Sequence, residues 1–92
     1  MVPLKKNYRD AIIKNELGLH ARSAAQIAGM VQKAKAGIWI KRGAEKADAS
    51  SIMDMLTLAC EKGTTITIIV DDPSDIDILN AVAELVDSGF GE

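Results

Sequence analysis

Apolar residues recur along this chain with two periods, and the change from one to the other lays out the elements. Residues 8–15, YRDAIIKN, put Ala11 and Ile13 on one side and Ile12 on the other, which predicts a strand. Then the period lengthens. Ala24, Ile27, Ala28 and Val31 fall at i, i+3, i+4 and i+7, one face of an amphipathic helix that Ala36-Gly37 is expected to end. GIWIK returns to a period of two, with Ile38 and Ile40 opposite Trp39, and RGAE predicts a turn before a short returning strand at KADA. SSIMDMLTLA reads as a short helix opened by a serine cap. TTITIIV, residues 64–70, is the clearest strand, rich in β-branched residues. DDPSD predicts a turn, and Ser74 with Asp77 has the spacing of a capping box. Ile78, Leu79, Val82, Leu85 and Val86 then form one helical stripe, closed by Gly89.

The order β-α-β-β-α-β-α lacks a strict βα alternation, so an α+β two-layer fold is expected, with helices on one face of a sheet and the other face open to water. The period of two assigns Ala11, Ile13, Ile38, Ile40, Ile66, Ile68 and Val70 to the covered face. Ile12, Trp39 and Ile69 are left for the open face, where they are expected to form an apolar row across the strands.

Composition narrows the function classes. The 92 residues suit one domain, 1–92, and with only three aromatic residues its core must be aliphatic. The net charge of −2, without a basic tract or aromatic–basic interleaving, argues against a nucleic-acid partner. No apolar run approaches the ~18 residues of a membrane span. The opening MVPLKKNYRD lacks a signal peptide's apolar stretch, so a cytoplasmic chain with no membrane partner is expected. Cys60 is the single cysteine and His20 the single histidine, which leaves no internal disulfide and no Cys/His zinc site; no metal and no cofactor are expected. Cys60 is expected to be a small buried apolar residue.

The chemistry concentrates in NELGLHARSAAQ, residues 15–26. If a helix starts just after His20, the imidazole stands beside the free N–H groups of the first turn, those of Ala21, Arg22 and Ser23, and beside the positive end of the helix dipole. That setting disfavours the imidazolium, so a neutral, nucleophilic ring is expected. Arg22 can fork onto phosphate oxygens, and Gly18 permits a tight backbone before the site. These parts suit a histidine that accepts a phosphoryl group by positioning and charge stabilisation. A polar cap without chemistry fits the same spacing.

LGLHARSA resembles the active-site motif of the HPr family, the histidine-containing phosphocarriers of the bacterial phosphotransferase system, Gly-(Leu/Ile)-His-Ala-Arg-Pro-Ala. SSIMDMLTLACEKGTTITI is similar to the family's second signature and DILNAVAELVDSGFGE to its C-terminal helix, so the resemblance covers residues 8–92. It implies a four-stranded antiparallel open-faced sandwich with three helices on one face and the strand order first, fourth, second, third. It implies phosphorylation of His20 at Nδ1, with Arg22 binding and releasing the phosphate. It implies a monomeric carrier, not an enzyme, that takes its phosphoryl group from enzyme I and hands it to EIIA-type domains. Ser51 matches the serine that a regulatory kinase/phosphorylase modifies in some bacteria; read from the residues it is a helix cap, with Asp54 placed as in a capping box. Ile52, Met53 and Leu56 match the family's apolar docking patch, although a methionine at helical spacing is also ordinary core.

Two positions depart from the family. Ser23 stands where proline is usual, which restores an N–H donor and resembles variants of the nitrogen-related branch; sugar uptake or the nitrogen-related branch both stay open. Asp54 replaces a small residue, and its carboxylate makes added phosphate on Ser51 less favourable. The alternative function is a regulatory interaction module of the same fold, acting through Ser51 without phosphotransfer.

Overall fold

The computed structural model describes residues 7–92, so the polar opening segment read above lies mostly outside it. Four strands, β1 (Tyr8–Ile12), β2 (Ile38–Arg42), β3 (Glu45–Asp48) and β4 (Thr65–Val70), form one antiparallel sheet in the order β1-β4-β2-β3. Three helices, α1 (Ala21–Met30), α2 (Ile52–Leu56) and α3 (Ile76–Asp87), cover one face. Helix α3 lies over β1 and β4, α1 packs against α3 and α2, and α2 reaches β3. This is the open-faced sandwich the pattern predicts.

The two-residue period sorts the sheet correctly. Ala11, Ile13, Ile38, Ile40, Ile66, Ile68 and Val70 are all buried beneath the helices. They meet Ala24, Ile27, Leu79, Val82 and Val86 from the helical stripes. Cys60 is buried in the same cluster, where desolvation pushes its thiol pKa up despite the nearby Arg42.

Four local expectations need correction. The open-face row is Tyr8–Ile69–Trp39, because the β1–β4 register sets Tyr8 opposite Ile69 and moves Ile12 opposite Thr65. The first helix ends early: α1 stops at Met30, one 3-10 turn follows over Val31–Lys33, and Ala36-Gly37 lies beyond. The backbone N–H groups of Lys35 and Ala36 bond instead to the buried Asp75 carboxylate at 3.0–3.2 Å, a contact from forty residues away. The Ser74–Asp77 capping box does not form. Asp72 accepts from both the N–H and the hydroxyl of Ser74, and Pro73 opens a 3-10 turn, Pro73–Asp75, that leads into α3. Finally, β1 ends at Ile12 rather than continuing to residue 15.

Candidate functional site

His20 is the N-cap of α1, in extended backbone geometry with φ −118° and ψ −178°. Its side chain and that of Ser23 form a reciprocal capping box. The Arg22 N–H donates to His20 Nδ1 at 3.3 Å, and the His20 N–H donates to Ser23 Oγ at 2.9 Å. An acceptor carries no proton, so Nδ1 presents its lone pair to the helix N-terminus. The other ring nitrogen, Nε2, lies 2.7 Å from Glu92 Oε2, and with Nδ1 unprotonated Nε2 carries the proton and donates it to the carboxylate. The ring is one-quarter exposed, open enough for a partner to reach.

The loop before the helix is shaped by Gly18. Its φ is +68°, and a Cβ there would sit 2.4 Å from the Cys60 carbonyl oxygen, so only glycine lets the loop lie against that strand-entry segment. The Leu19 N–H donates to the same carbonyl at 2.9 Å, which ties His20's neighbour to the far side of the chain. Asn15 closes the loop from inside: it is buried, and its Nδ2 donates to the Gly18 carbonyl at 2.8 Å.

Of the residues singled out in the sequence, the structure gathers His20, Ala21, Arg22 and Ser23 in one helical turn. The picture of three open N–H groups changes, since the Arg22 N–H is held by Nδ1 and Ser23 is fully buried. The Arg22 side chain remains 70% exposed, with Nη2 3.6 Å from Glu92 Oε2. Two members of the cluster were missed by the sequence reading. Asn15 lay inside the quoted motif without a distinguishing pattern, and Glu92 is seventy-two residues from His20, with no local signal at all. Glu92's carboxyl pKa is held below the usual glutamate range, first by the hydrogen bond to His20, then by that to Asn15, with the charge of Arg22 adding to it.

Ser51 is separate. It caps α2, accepting from the Asp54 N–H at 3.1 Å. The full capping box is not made, because the Asp54 carboxylate turns to the Asp48 N–H at 2.6 Å and the Ser51 N–H goes to the Asp48 carbonyl. In the docking-patch stretch Met53 is 75% exposed, Ile52 and Leu56 are half-buried, and Met55 is the methionine that fills the core. Leu17, not expected from the sequence, adds a second strongly exposed apolar side chain on the loop just before His20.

Residues 8–88 match the family model for the PTS HPr component phosphorylation site. The chain belongs to the HPr/NPr phosphocarrier family of the phosphotransferase system. It is 34% identical to Phosphocarrier protein HPr of Cupriavidus necator over 84 residues, covering 91% of this chain and 94% of that one. It is 37% identical to Phosphocarrier protein NPr of Shewanella violacea over 89 residues, covering 97% and 98%. The crystal structure of HPr-C-His from Thermoanaerobacter tengcongensis superposes with a TM-score of 0.82 at 32% identity, covering 97% of this chain and 98% of that chain. The relatives it matches are named as phosphocarriers. No helix among the described residues is long and apolar enough to cross a membrane.

Proposed function

We propose that this phosphocarrier accepts its phosphoryl group on His20 Nδ1 from phosphorylated enzyme I and passes it to EIIA-type domains. The observation that carries the reading is the orientation of the imidazole: Nδ1 faces the first-turn N–H groups with its lone pair, while Nε2 is engaged by Glu92. When Nδ1 bonds phosphorus, the Arg22 N–H is released from it and becomes a donor for a phosphoryl oxygen, reinforced by the helix dipole. The exposed Arg22 guanidinium turns from Glu92 to fork onto the other oxygens. The outgoing transfer is the same step reversed, with the Nδ1–P bond breaking as the acceptor nitrogen or oxygen takes phosphorus. Met53 and Leu17 supply exposed apolar contact for docking, with Ile52 and Leu56 behind Met53.

Ser51 is the site for a regulatory serine kinase/phosphorylase in this reading. Its hydroxyl oxygen caps α2, so a phosphate there meets one N–H donor but also the Asp54 carboxylate one turn on. Relatives from both branches match, and sugar uptake and nitrogen-related control use the same phosphoryl chemistry at His20. An interaction module working through Ser51 alone would leave the His20 cluster without a role.

Incubation with phosphoenolpyruvate and enzyme I, read by intact mass, tests the assignment. The expected product is a mass gain of one phosphoryl group that is acid-labile and alkali-stable. His20→Ala should abolish it while keeping a cooperative melt. Arg22→Lys should slow transfer about three- to tenfold, because a point charge replaces a bidentate fork. Phosphorylation of the His20→Ala protein, or unchanged rates with lysine at 22, would refute the respective roles.

A further inference from the structure

Two unfavourable features converge on one carboxylate. After α3 the chain turns through three successive residues with positive φ, Gly89 at 77°, Phe90 at 59° and Gly91 at 75°; Phe90 is an aromatic held in the left-handed region. This turn sinks Phe90 into the core and brings Glu92 back over the mouth of α1. Asn15 is 5% exposed and keeps its Oδ1 buried with no hydrogen-bond partner. Its amide orientation is forced, since Nδ2 donates to two acceptors, the Gly18 carbonyl and Glu92 Oε1 at 3.1 Å. A carboxylate steered in this way, with one oxygen on Asn15 and the other on His20 Nε2, is placed rather than loosely attached.

We propose that Glu92, steered by Asn15, is a positioning residue for phosphoryl transfer at His20. The inference rests on the carrier reading above and adds to it the origin of the choice between ring nitrogens. Attack by Nδ1 forms the N–P bond as the donor's bond to phosphorus breaks. The donor atom departs with its electron pair, and the Nε2 proton stays where it is. The imidazole thereby becomes a phosphorylated imidazolium, and its new positive charge lies against the Glu92 carboxylate, as in a carboxylate–histidine pair that holds one tautomer and stabilises the cation. Glu92 also covers Nε2 and keeps it from acting as the acceptor. Arg22, the other charged group facing Glu92, is free to leave it for the phosphoryl oxygens, because the Nε2–H bond continues to hold the carboxylate.

Phosphoramidate, a small donor that phosphorylates imidazole with loss of ammonia, tests this without a partner protein. The transferred phosphorus is located on the ring by phosphorus NMR of nitrogen-labelled protein. The native protein is expected to carry phosphate on Nδ1 alone. Glu92→Gln keeps an acceptor at Nε2 but no charge, so it should retain the Nδ1 product and form it about three- to tenfold more slowly. Glu92→Ala uncovers Nε2 and should yield a mixture of both adducts, a change that a purely structural role would not produce. Asn15→Ala should slow the native protein but add nothing in the Glu92→Ala background. Because Asn15 also holds the Gly18 carbonyl, the Glu92 variants carry the decision if that protein folds poorly. Native rate and pure Nδ1 product in both Glu92 variants would overturn the inference while leaving the carrier reading intact. A native protein that accepts phosphate on neither nitrogen, from phosphoramidate or from enzyme I, would remove the carrier reading itself.

Discussion

At the scale of single residues, the site depends on positions that carry no phosphate chemistry of their own. Gly18 combines a left-handed backbone with a Cβ position only 2.4 Å from the Cys60 carbonyl oxygen. Gly18→Ala therefore adds the left-handed penalty of about 1–2 kcal/mol to a backbone clash that flexible side chains cannot relieve. A loss of at least about 2 kcal/mol in denaturant unfolding is expected, with slower transfer at His20 because the preceding loop must shift. Glu92 gives a pH signature. Its folded pKa is depressed, so its contribution to stability is fully present at and above the ordinary glutamate value and is lost as pH falls through the lowered one. The melting difference between the native protein and Glu92→Gln should accordingly be largest toward neutral pH and shrink on acidification. Ser23 shows a third kind of dependence: its Oγ accepts the His20 N–H at 2.9 Å, a bond that proline, usual in the family, lacks.

At the scale of elements, helix ends are decided by partners from other parts of the chain. The Asp75 carboxylate is buried and accepts the N–H groups of Lys35 and Ala36, which carry the chain from the end of α1 into β2. Asp75→Ala leaves those donors without their acceptor and is expected to cost about 1–3 kcal/mol. Amide hydrogen exchange at Lys35 and Ala36 should accelerate, and Asp75→Asn should recover part of the stability. Unchanged exchange at both amides would show that water replaces the carboxylate without loss. The same principle explains α2, where five residues make too short a helix to persist alone. It is held by the Ser51 cap, by the Asp54–Asp48 hydrogen bond to β3, and by Met55 in the core.

At the scale of the whole molecule, the sandwich separates the open sheet face from the His20 cluster at the mouth of α1. The open sheet face carries Tyr8, Ile69 and Trp39 in register across β1, β4 and β2. The Trp39 indole N–H donates to Asp71 at 3.0 Å, and the Lys46 ammonium lies 4.4 Å from the ring centroid. Trp39→Ala removes these contacts and is expected to cost about 1–2 kcal/mol. Phosphorylation of His20 should keep its native rate, because the ring lies on the opposite face of the sheet from the helix layer that holds His20. A slowed transfer in that variant would mean that the sheet transmits strain to the α1 N-terminus.

The sequence by itself determined the element order, the covered and open faces of β1, β2 and β4, the buried stripes of α1 and α3, and the position of His20 at a helix mouth. Each of these rests on periodicity or capping chemistry within a few residues, which local sterics and burial enforce wherever the segment is placed. Tertiary structure alone decided where α1 ends, which apolar residues align on the open face, and what engages the second ring nitrogen of His20. Asp75 meets the end of α1 from forty residues away, the Tyr8–Ile69 pair depends on strand register, and Glu92 reaches His20 only after the left-handed turn at Gly89–Gly91. Such contacts join groups whose spacing along the chain carries no period, so their energies appear only once the two layers have closed on a common core.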